Sequence, residues 1–207
     1  MTHPHFPSAT AIDTLNKVIR TRRSIKPAEF SAEPVPDDVI NEMLENANWA
    51  PTHGMTQPWR FFVISGNART QFGEYLSRLY VEITPADQVK SAKAEKLKNN
   101  ALASSHMIII GMKRQPSGRI PEIEEIEAVA CAVQNLHLTA TAHGVGGYWS
   151  SGKAICNDRL RDDLGLSAED KVLGLFYVGM PAGDWPVGTR TAMADKVTRL
   201  SERFDVT

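Results

Sequence analysis

Apolar residues recur at helical spacing in several parts of the chain. Ile12, Leu15, Val18 and Ile19 share one face, which predicts an amphipathic helix that ends near a double arginine. The same periodicity, with prolines and acidic residues near the starts, predicts further helices over residues 34–50, 67–83, 86–103 and 121–144. In the last of these, small and apolar residues occupy nearly every face, so we expect a central, enclosed helix.

Three short runs of β-branched and aromatic residues predict strands. They cover residues 60–65, 105–113 and 171–181, and the segments between them are mainly helical. A dinucleotide-binding crossover would need a glycine-rich turn after its first strand, but the glycine run "HGVGGYW" follows a helix. The sequence therefore predicts an α+β fold in which helices flank a sheet. No repeat or linker divides the chain, so we expect one domain over residues 1–207.

Composition and charge limit the classes of partner. The chain of 207 residues is 42% hydrophobic and 23% charged, enough for a sizeable core, and its formal net charge of -1 provides no overall field to attract nucleic acid or a membrane. We expect a cytoplasmic protein, because the N-terminus lacks the pattern of a secretory signal and no apolar run approaches membrane-spanning length. Cys131 and Cys156 have no metal-ligand spacing, so we expect structural thiols and no bound metal.

A cluster of cations lies at the end of the first predicted helix, in "RTRRSIK" (Arg20 to Lys26). One interpretation is a solvated basic helix end, where cations interact favourably with the helix dipole. The other is a phosphate clamp, since guanidinium groups offer paired planar donors and the serine hydroxyl adds another. The residues alone leave both interpretations open.

Two further stretches are rich in groups that could contact a ligand. "WAPTHGMTQPW" (Trp49 to Trp59) is polar and stiffened by prolines, although its aromatics could be core residues and His53 alone is a weak candidate. "AHGVGGYWSSGKA" (Ala142 to Ala154) has more glycines than a helix cap needs, which favours a binding loop. Sequence patterns typical of hydrolases, zinc enzymes and phosphoryl-transfer enzymes are missing. The three stretches together could hold a flat phosphorylated cofactor that supplies the chemistry.

The motifs, taken in order, resemble those of a known family. "RRSIK", "APTHGMTQPWRFFVI", "GVGGYWSSG" and "VGMP" are similar in order and spacing to the FMN-dependent nitroreductases over almost the whole chain. The resemblance is closest to a small branch with histidine in the second loop and tryptophan in the third. It implies a nitroreductase-like α+β fold with a mostly antiparallel central sheet, bound FMN, and NADH or NADPH as the electron donor.

The resemblance also implies which residues contact FMN. Arg22 and Ser24 match contacts to the phosphate or ribityl chain, Lys26 matches a lysine near the flavin N1 and O2 edge, and Trp49 and His53 match positions that reach FMN across a dimer interface. The full set of implied cofactor-binding residues is Arg22, Arg23, Ser24, Lys26, Trp49, His53, Gln57, Thr139, Ala140, Thr141, Ala142, His143, Gly144, Trp149, Ser150, Ser151 and Arg190.

The assembly and the reaction follow from the same resemblance. Family members are intertwined homodimers, so the tail over about 183–207 is expected to wrap the partner subunit. Hydride passes from NAD(P)H through flavin N5 to nitroaromatic, quinone or related electron-poor acceptors in a ping-pong sequence. The alternatives are another acceptor chemistry on the same fold (reductive dehalogenation, enone reduction or flavin breakdown) or a module that binds or senses FMN without turnover. Met55 replaces an asparagine of the usual loop motif, which bears mainly on acceptor preference.

Overall fold

Four antiparallel strands form the sheet on which the helices pack. In the computed structural model, which describes residues 8–201, the sheet order is β1-β2-β4-β3 and every neighbouring pair is antiparallel. This confirms the predicted α+β class and the antiparallel sheet. The strands are β1 (Trp59–Ile64), β2 (His106–Met112), β3 (Gly146–Ser150) and β4 (Lys171–Gly179).

The helices cover both faces of the sheet. They are α1 (Ala9–Thr21), α2 (Asp37–Asn48), α3 (Ala68–Glu82), α4 (Ser91–Ala103), α5 (Glu122–Ala142) and α6 (Asp158–Asp163). Helices α2 and α5 pack on one face, while α3, α4 and α6 pack on the other. Strand β2 is therefore buried along its whole length, because both of its faces meet apolar side chains. Among residues 8–201, no helix is both long and apolar enough to cross a membrane.

One strand was not predicted from the sequence, and it lies in the predicted glycine-rich loop. Residues 146–150 pair with β4 as strand β3, and the short helix α6 was also not predicted. A Cβ atom at Gly147 would overlap the ring of Phe176, so this glycine is required for close packing across the sheet. Gly144, with φ of 70°, adopts the left-handed conformation that ends α5.

Helix α5 is not enclosed within the chain, so that prediction is wrong for the single subunit. Its buried side carries Ala128, Val129, Ala132 and Leu136, but Cys131 on the opposite side is exposed. The physical reason is that Glu127, Cys131 and Gln134 on this side are not covered by any part of residues 8–201. Helix α5 therefore presents an open surface.

Helix α1 and the C-terminal tail also leave apolar groups uncovered. Helix α1 contains no buried residue, and Ile12, Leu15 and Ile19 are each about half exposed. After β4, residues 182–201 form only one short turn of 3₁₀-helix at Ala194–Lys196. The tail starts along its own subunit, because the indole nitrogen of Trp185 donates to the carbonyl oxygen of Thr21 at 2.6 Å. Residues 202–207 of the predicted tail lie outside the described residues.

Candidate functional site

The basic segment leaves α1 as an extended chain and joins the edge of the sheet. Arg22 caps the helix, and the backbone amide of Ile25 donates to the carbonyl oxygen of Gly147 at 3.0 Å. Ile25 is buried, so the alternation of an extended chain places Ser24 and Lys26 together on the opposite, exposed side. From Arg22 to Lys26 such a chain spans about 13 Å.

A neutral histidine holds this segment against α5. Arg22 donates from Nη1 to Nδ1 of His137 at 3.1 Å, and Nε2 of His137 lies 3.0 Å from the carbonyl oxygen of Arg23. Because a guanidinium can only donate, Nδ1 must be the acceptor and Nε2 must carry the proton. Burial and the charge of Arg22 lower the pKa of His137 to about 4. His137 is therefore neutral at physiological pH.

The guanidinium group of Arg22, which contacts this histidine, lies close to those of Arg23 and Arg190. Burial, together with the charges of Arg190 and Arg23, lowers the pKa of Arg22. Within residues 8–201, none of the three arginines pairs with a carboxylate. The Nε atom of Arg23 is buried and has no hydrogen-bond partner, and Gly188 of the tail lies directly against that guanidinium. An anionic group with several acceptor oxygens, such as a phosphate, would satisfy this cluster.

A cavity of about 390 Å³ adjoins Lys26 on the side of the sheet that faces α4. Tyr148 and Tyr177 stack in its wall with ring centroids 6.2 Å apart, and Ser150 adds a hydroxyl. Burial raises the pKa of Tyr177 to about 12, so its hydroxyl stays protonated. The remaining lining residues come mainly from α4, from the 3₁₀-turn after Lys26 and from the chain that follows β3: Pro27, Ala28, Lys93, Lys96, Leu97, Asn100, Gly152, Lys153, Ala154 and Ile155. Stacked aromatic walls beside polar groups suit a flat ring system.

The second predicted stretch forms a loop with unusual backbone conformations. Gly54, Met55 and Gln57 all have positive φ, of 58°, 55° and 43°. Non-glycine residues adopt this region at a cost of about 1–2 kcal/mol each, and such residues cluster at functional sites. The hydroxyl of Thr52 holds the loop by accepting from the amide of Gln57 at 3.1 Å. Met55 is 74% exposed, so the loop presents it to the surface.

The structure does not bring this loop to the arginine cluster of the same chain. His53 hydrogen-bonds to Glu124 in the first turn of α5, whereas Arg22 contacts His137. Thirteen residues of helix separate these contacts, which corresponds to about 20 Å. Trp49, at 78% exposure, also projects away from the core. Trp49, His53 and Gln57 therefore stay predicted contacts, and His53 lies far from the arginine cluster of its own chain.

The predicted residues at the end of α5 differ in accessibility. Thr139 is buried and accepts from the side-chain amide of Asn46 at 3.0 Å, and Ala140 is fully buried. Thr141 donates its hydroxyl proton to the carbonyl oxygen of His137 at 2.9 Å. His143 is exposed and pairs with Glu42. Ala142 and Gly144 are exposed as well, so this helix end offers its last turn, rather than Thr139 and Ala140, to a ligand.

Strand β3 divides its predicted residues between the two faces of the sheet. Ser150 lines the cavity, whereas Trp149 points to the other face, where its Nε1 donates to the carbonyl oxygen of Leu173 at 3.2 Å. Ser151 follows the strand and is exposed. Arg190 in the tail is exposed and close enough to Arg22 to influence its pKa.

The sequence reading missed several residues of this site. They are His137, Tyr148, Tyr177, Leu97 and Asn100. Tyr148 was within reach of the sequence analysis, because it lies next to Trp149 in the predicted glycine-rich loop. His137 gave no local signal, since it is a single polar residue in an apolar helix and its partner is far away in sequence.

Comparisons with known proteins identify chains with a similar sequence and fold. The model of the Nitroreductase family matches residues 19–180 of the chain. YdjA of Escherichia coli (strain K12), named as a candidate NAD(P)H nitroreductase, is 30% identical over 171 residues, which are 82% of this chain and 89% of YdjA.

Two solved structures share the fold. A nitroreductase-like family protein from Bacillus cereus superposes with a TM-score of 0.78 at 24% identity, covering 96% of this chain and 99% of the other. A protein from Desulfovibrio desulfuricans, named as a candidate nitroreductase and crystallised in complex with FMN, has a TM-score of 0.68 at 26% identity and covers 92% and 98%.

The depressed pKa of His137 predicts a loss of stability in mild acid. The folded pKa of about 4 lies below the ordinary value of 6.5. As the pH falls below 6.5, the unfolded chain binds a proton that the folded chain does not, so stability decreases until pH 4 by up to roughly 3 kcal/mol. Replacing His137 by Gln preserves a donor and an acceptor but removes the titration. Urea unfolding at pH 7.5 and pH 4.5 should therefore show a smaller loss for His137→Gln than for the wild type. Equal losses would contradict the assignment.

Proposed function

The chain belongs to the nitroreductase family, and from this premise we propose that it is an FMN-dependent NAD(P)H oxidoreductase that reduces nitroaromatics, quinones or related electron-poor acceptors. The observation that carries the proposal is the extended segment from Arg22 to Lys26, which joins the arginine cluster to the edge of a cavity with stacked tyrosine walls. One end suits a phosphate and the other suits a flat ring, and an extended strand joins them. FMN has this combination of groups.

The residues of the chain have distinct roles in this proposal. Arg22, Arg23 and Arg190 bind the phosphate. Its negative charge offsets the repulsion between the three guanidinium groups. Lys26 places a cation at the cavity, where it stabilises negative charge on the reduced ring. Tyr148 and Tyr177 form the wall against which the ring is oriented. When bound, FMN supplies hydride transfer through its N5 atom.

Donor and acceptor use the same opening in succession in this proposal, which is a ping-pong sequence. Its support is that residues 8–201 form a single α+β unit around one sheet, without a separate nicotinamide-binding domain. In this sequence the acceptor binds at the mouth of the cavity and makes few specific contacts with the protein. Two other interpretations use the same site: a different acceptor chemistry, and FMN binding without turnover.

We further propose that two copies of the chain form the active unit. The apolar face of α1, with Ile12, Leu15 and Ile19, is uncovered in the single chain, and a cavity of about 580 Å³ lies between α1, α2 and α5. Exposed apolar surface of this kind is typical of an interface. In a dimer Trp49 and His53 would contact the cofactor held by the partner, which would explain their distance from the arginine cluster of their own chain.

Reduction assays test the proposed reaction. Purified protein mixed with FMN should acquire a yellow flavin spectrum and greater thermal stability, because binding to the folded state stabilises it. In anaerobic stopped flow, NADH or NADPH should bleach the flavin, and a nitroarene or quinone should restore its colour. Colourless protein that gains no stability from FMN would contradict FMN binding.

The same assay separates the alternatives when the acceptor is varied. A panel of nitroarenes, quinones, enones and halophenols under steady NADPH reports the acceptor class. If only enones or halophenols were turned over, the different acceptor chemistry would be correct. A flavin that no donor reduces would identify a binding or sensing module.

Removal of the Arg22 side chain should separate phosphate binding from ring binding. We expect Arg22→Ala to weaken FMN binding about tenfold to a hundredfold, because a charge-assisted hydrogen bond contributes about 1.5–3 kcal/mol. Riboflavin lacks the phosphate, so its affinity should change less than about threefold. Quenching of flavin fluorescence measures both affinities. Arg20→Ala on exposed α1 is the matched control, and equal weakening toward both ligands would refute the phosphate role.

A charge placed on the apolar face of α1 should break the proposed dimer. Leu15 is 56% exposed in the single chain. Leu15→Glu should weaken self-association by about tenfold or more, because each of two buried leucines contributes about 1.5 kcal/mol. Sedimentation velocity over a range of concentrations measures the effect. Lys17→Glu, at an exposed position of the same helix, is the control, and a wild type that is monomeric with FMN bound would refute the proposal.

A further inference from the structure

The mouth of the cavity carries an excess of positive charge. Besides Lys26, it is lined by Lys93 and Lys96 from α4 and by Lys153 from the chain after β3, and no lining residue is acidic. We call Lys93, Lys96 and Lys153 the lysine rim. Since the whole chain has a formal net charge of -1, this local concentration does not reflect a generally basic protein.

The two rim lysines of α4, Lys93 and Lys96, lie on the side of the helix that lines the cavity. Lys93, Lys96, Leu97 and Asn100 all line the cavity, and their spacing places them on one face of the helix. Lys98 lies on another face, where it pairs with Glu95 at 3.8 Å. The cationic side of α4 that faces the cavity is thus distinct from its ion-paired side.

Packing holds α4 and its Lys93 in position. The ammonium group of Lys93 lies 4.8 Å from the ring centroid of Tyr80, a buried residue whose hydroxyl oxygen accepts from the amide of Lys90 at 3.1 Å. Helix α4 also approaches α3 closely, because a Cβ atom at Gly73 would come within 2.7 Å of the Cβ of Ala101. The helix is therefore packed as part of the fold, and Lys93 is held at the edge of the cavity before any ligand binds.

The rim lysines have no anionic partner in the chain. In the region of residues 8–201, Lys93, Lys96 and Lys153 make no ion pair with a carboxylate. All three are exposed at the edge of the cavity. Ammonium groups of this kind act as point charges for carboxylates, sulfonates and phosphates. They also attract anions from solution and favour their orientation in the cavity.

We propose that the lysine rim binds an anionic group on the molecule that exchanges electrons with the bound cofactor, so that the enzyme selects anionic over neutral substrates. This inference rests on the proposed function, because the cavity must hold the cofactor ring. The anion has two possible sources that share the same chemistry. It is a carboxylate or sulfonate on the acceptor, or a phosphate on the nicotinamide donor.

A triple variant tests the rim against a matched control. The test protein carries Lys93→Gln, Lys96→Gln and Lys153→Gln, and the control carries Lys98→Gln, Lys113→Gln and Lys171→Gln, which removes the same charge from positions that do not line the cavity. Both are loaded with FMN and compared with wild type using 4-nitrobenzoate and 4-nitrobenzamide, which differ chiefly in charge. We expect the KM of the rim variant for 4-nitrobenzoate to rise about tenfold and that for 4-nitrobenzamide to change less than about twofold.

Binding without turnover provides a second measurement. Benzoate and benzamide are titrated into the oxidised holoprotein, and perturbation of the flavin absorbance reports their dissociation constants. The rim variant should lose affinity for benzoate only, and raised salt should reduce the preference of the wild type for benzoate. The KM for NADPH and for NADH is measured with the same variants. A tenfold rise in either KM, with the KM for both acceptors unchanged, would assign the anion to the donor and would also support the rim.

Two outcomes would overturn the inference, and they are distinguishable. If the variant keeps its flavin but has the same KM values and dissociation constants as the wild type for charged ligands, neutral ligands and both donors, the role of the rim is refuted and the proposed function stands. If the wild type binds no flavin, the proposed function fails and the inference fails with it.

Discussion

The hydrogen bonds of one neutral imidazole determine where the basic segment lies. His137 accepts from Arg22 and donates to the carbonyl oxygen of Arg23, and the bond from Arg22 forms only while the ring is uncharged. Gly147 makes room for the ring and for Phe176, whose ring centroid lies 5.0 Å from that of His137. The extended segment that follows then pairs with β3. The arginine cluster and its contact with the strand edge depend on this arrangement.

The site joins two kinds of chemistry through a short rigid connection. At one end the positive charges repel each other and require an anion, and at the other end aromatic walls require a flat apolar partner. Neither end alone specifies a cofactor, since phosphate sites and aromatic cavities are common. Their fixed separation along an extended chain narrows the choice to a molecule with both features. The fold contributes position, and the reactive chemistry belongs to the ligand.

Local patterns in the sequence predicted most of the fold. The five long helices and three of the four strands follow from periodicity and from helix-end signals. Strand β3 was missed because its glycines resemble a loop, and the rings that explain them, Phe30 against Gly146 and Phe176 against Gly147, belong to distant residues. Within the site, the arginines and Lys26 could be recognised from their motif. His137, Leu97 and Asn100 could not, because their importance arises from contacts between segments that lie far apart in the chain.

The unpaired arginines also bear on the stability of the folded chain. Without an anion, the charges of Arg22, Arg23 and Arg190 oppose the contact between the N-terminal segment and the tail. A ligand that binds only the folded chain raises its stability, and a less stable chain is exposed more often to proteases. An anion bound at this cluster would therefore lower the fraction of chains that are unfolded and open to proteases.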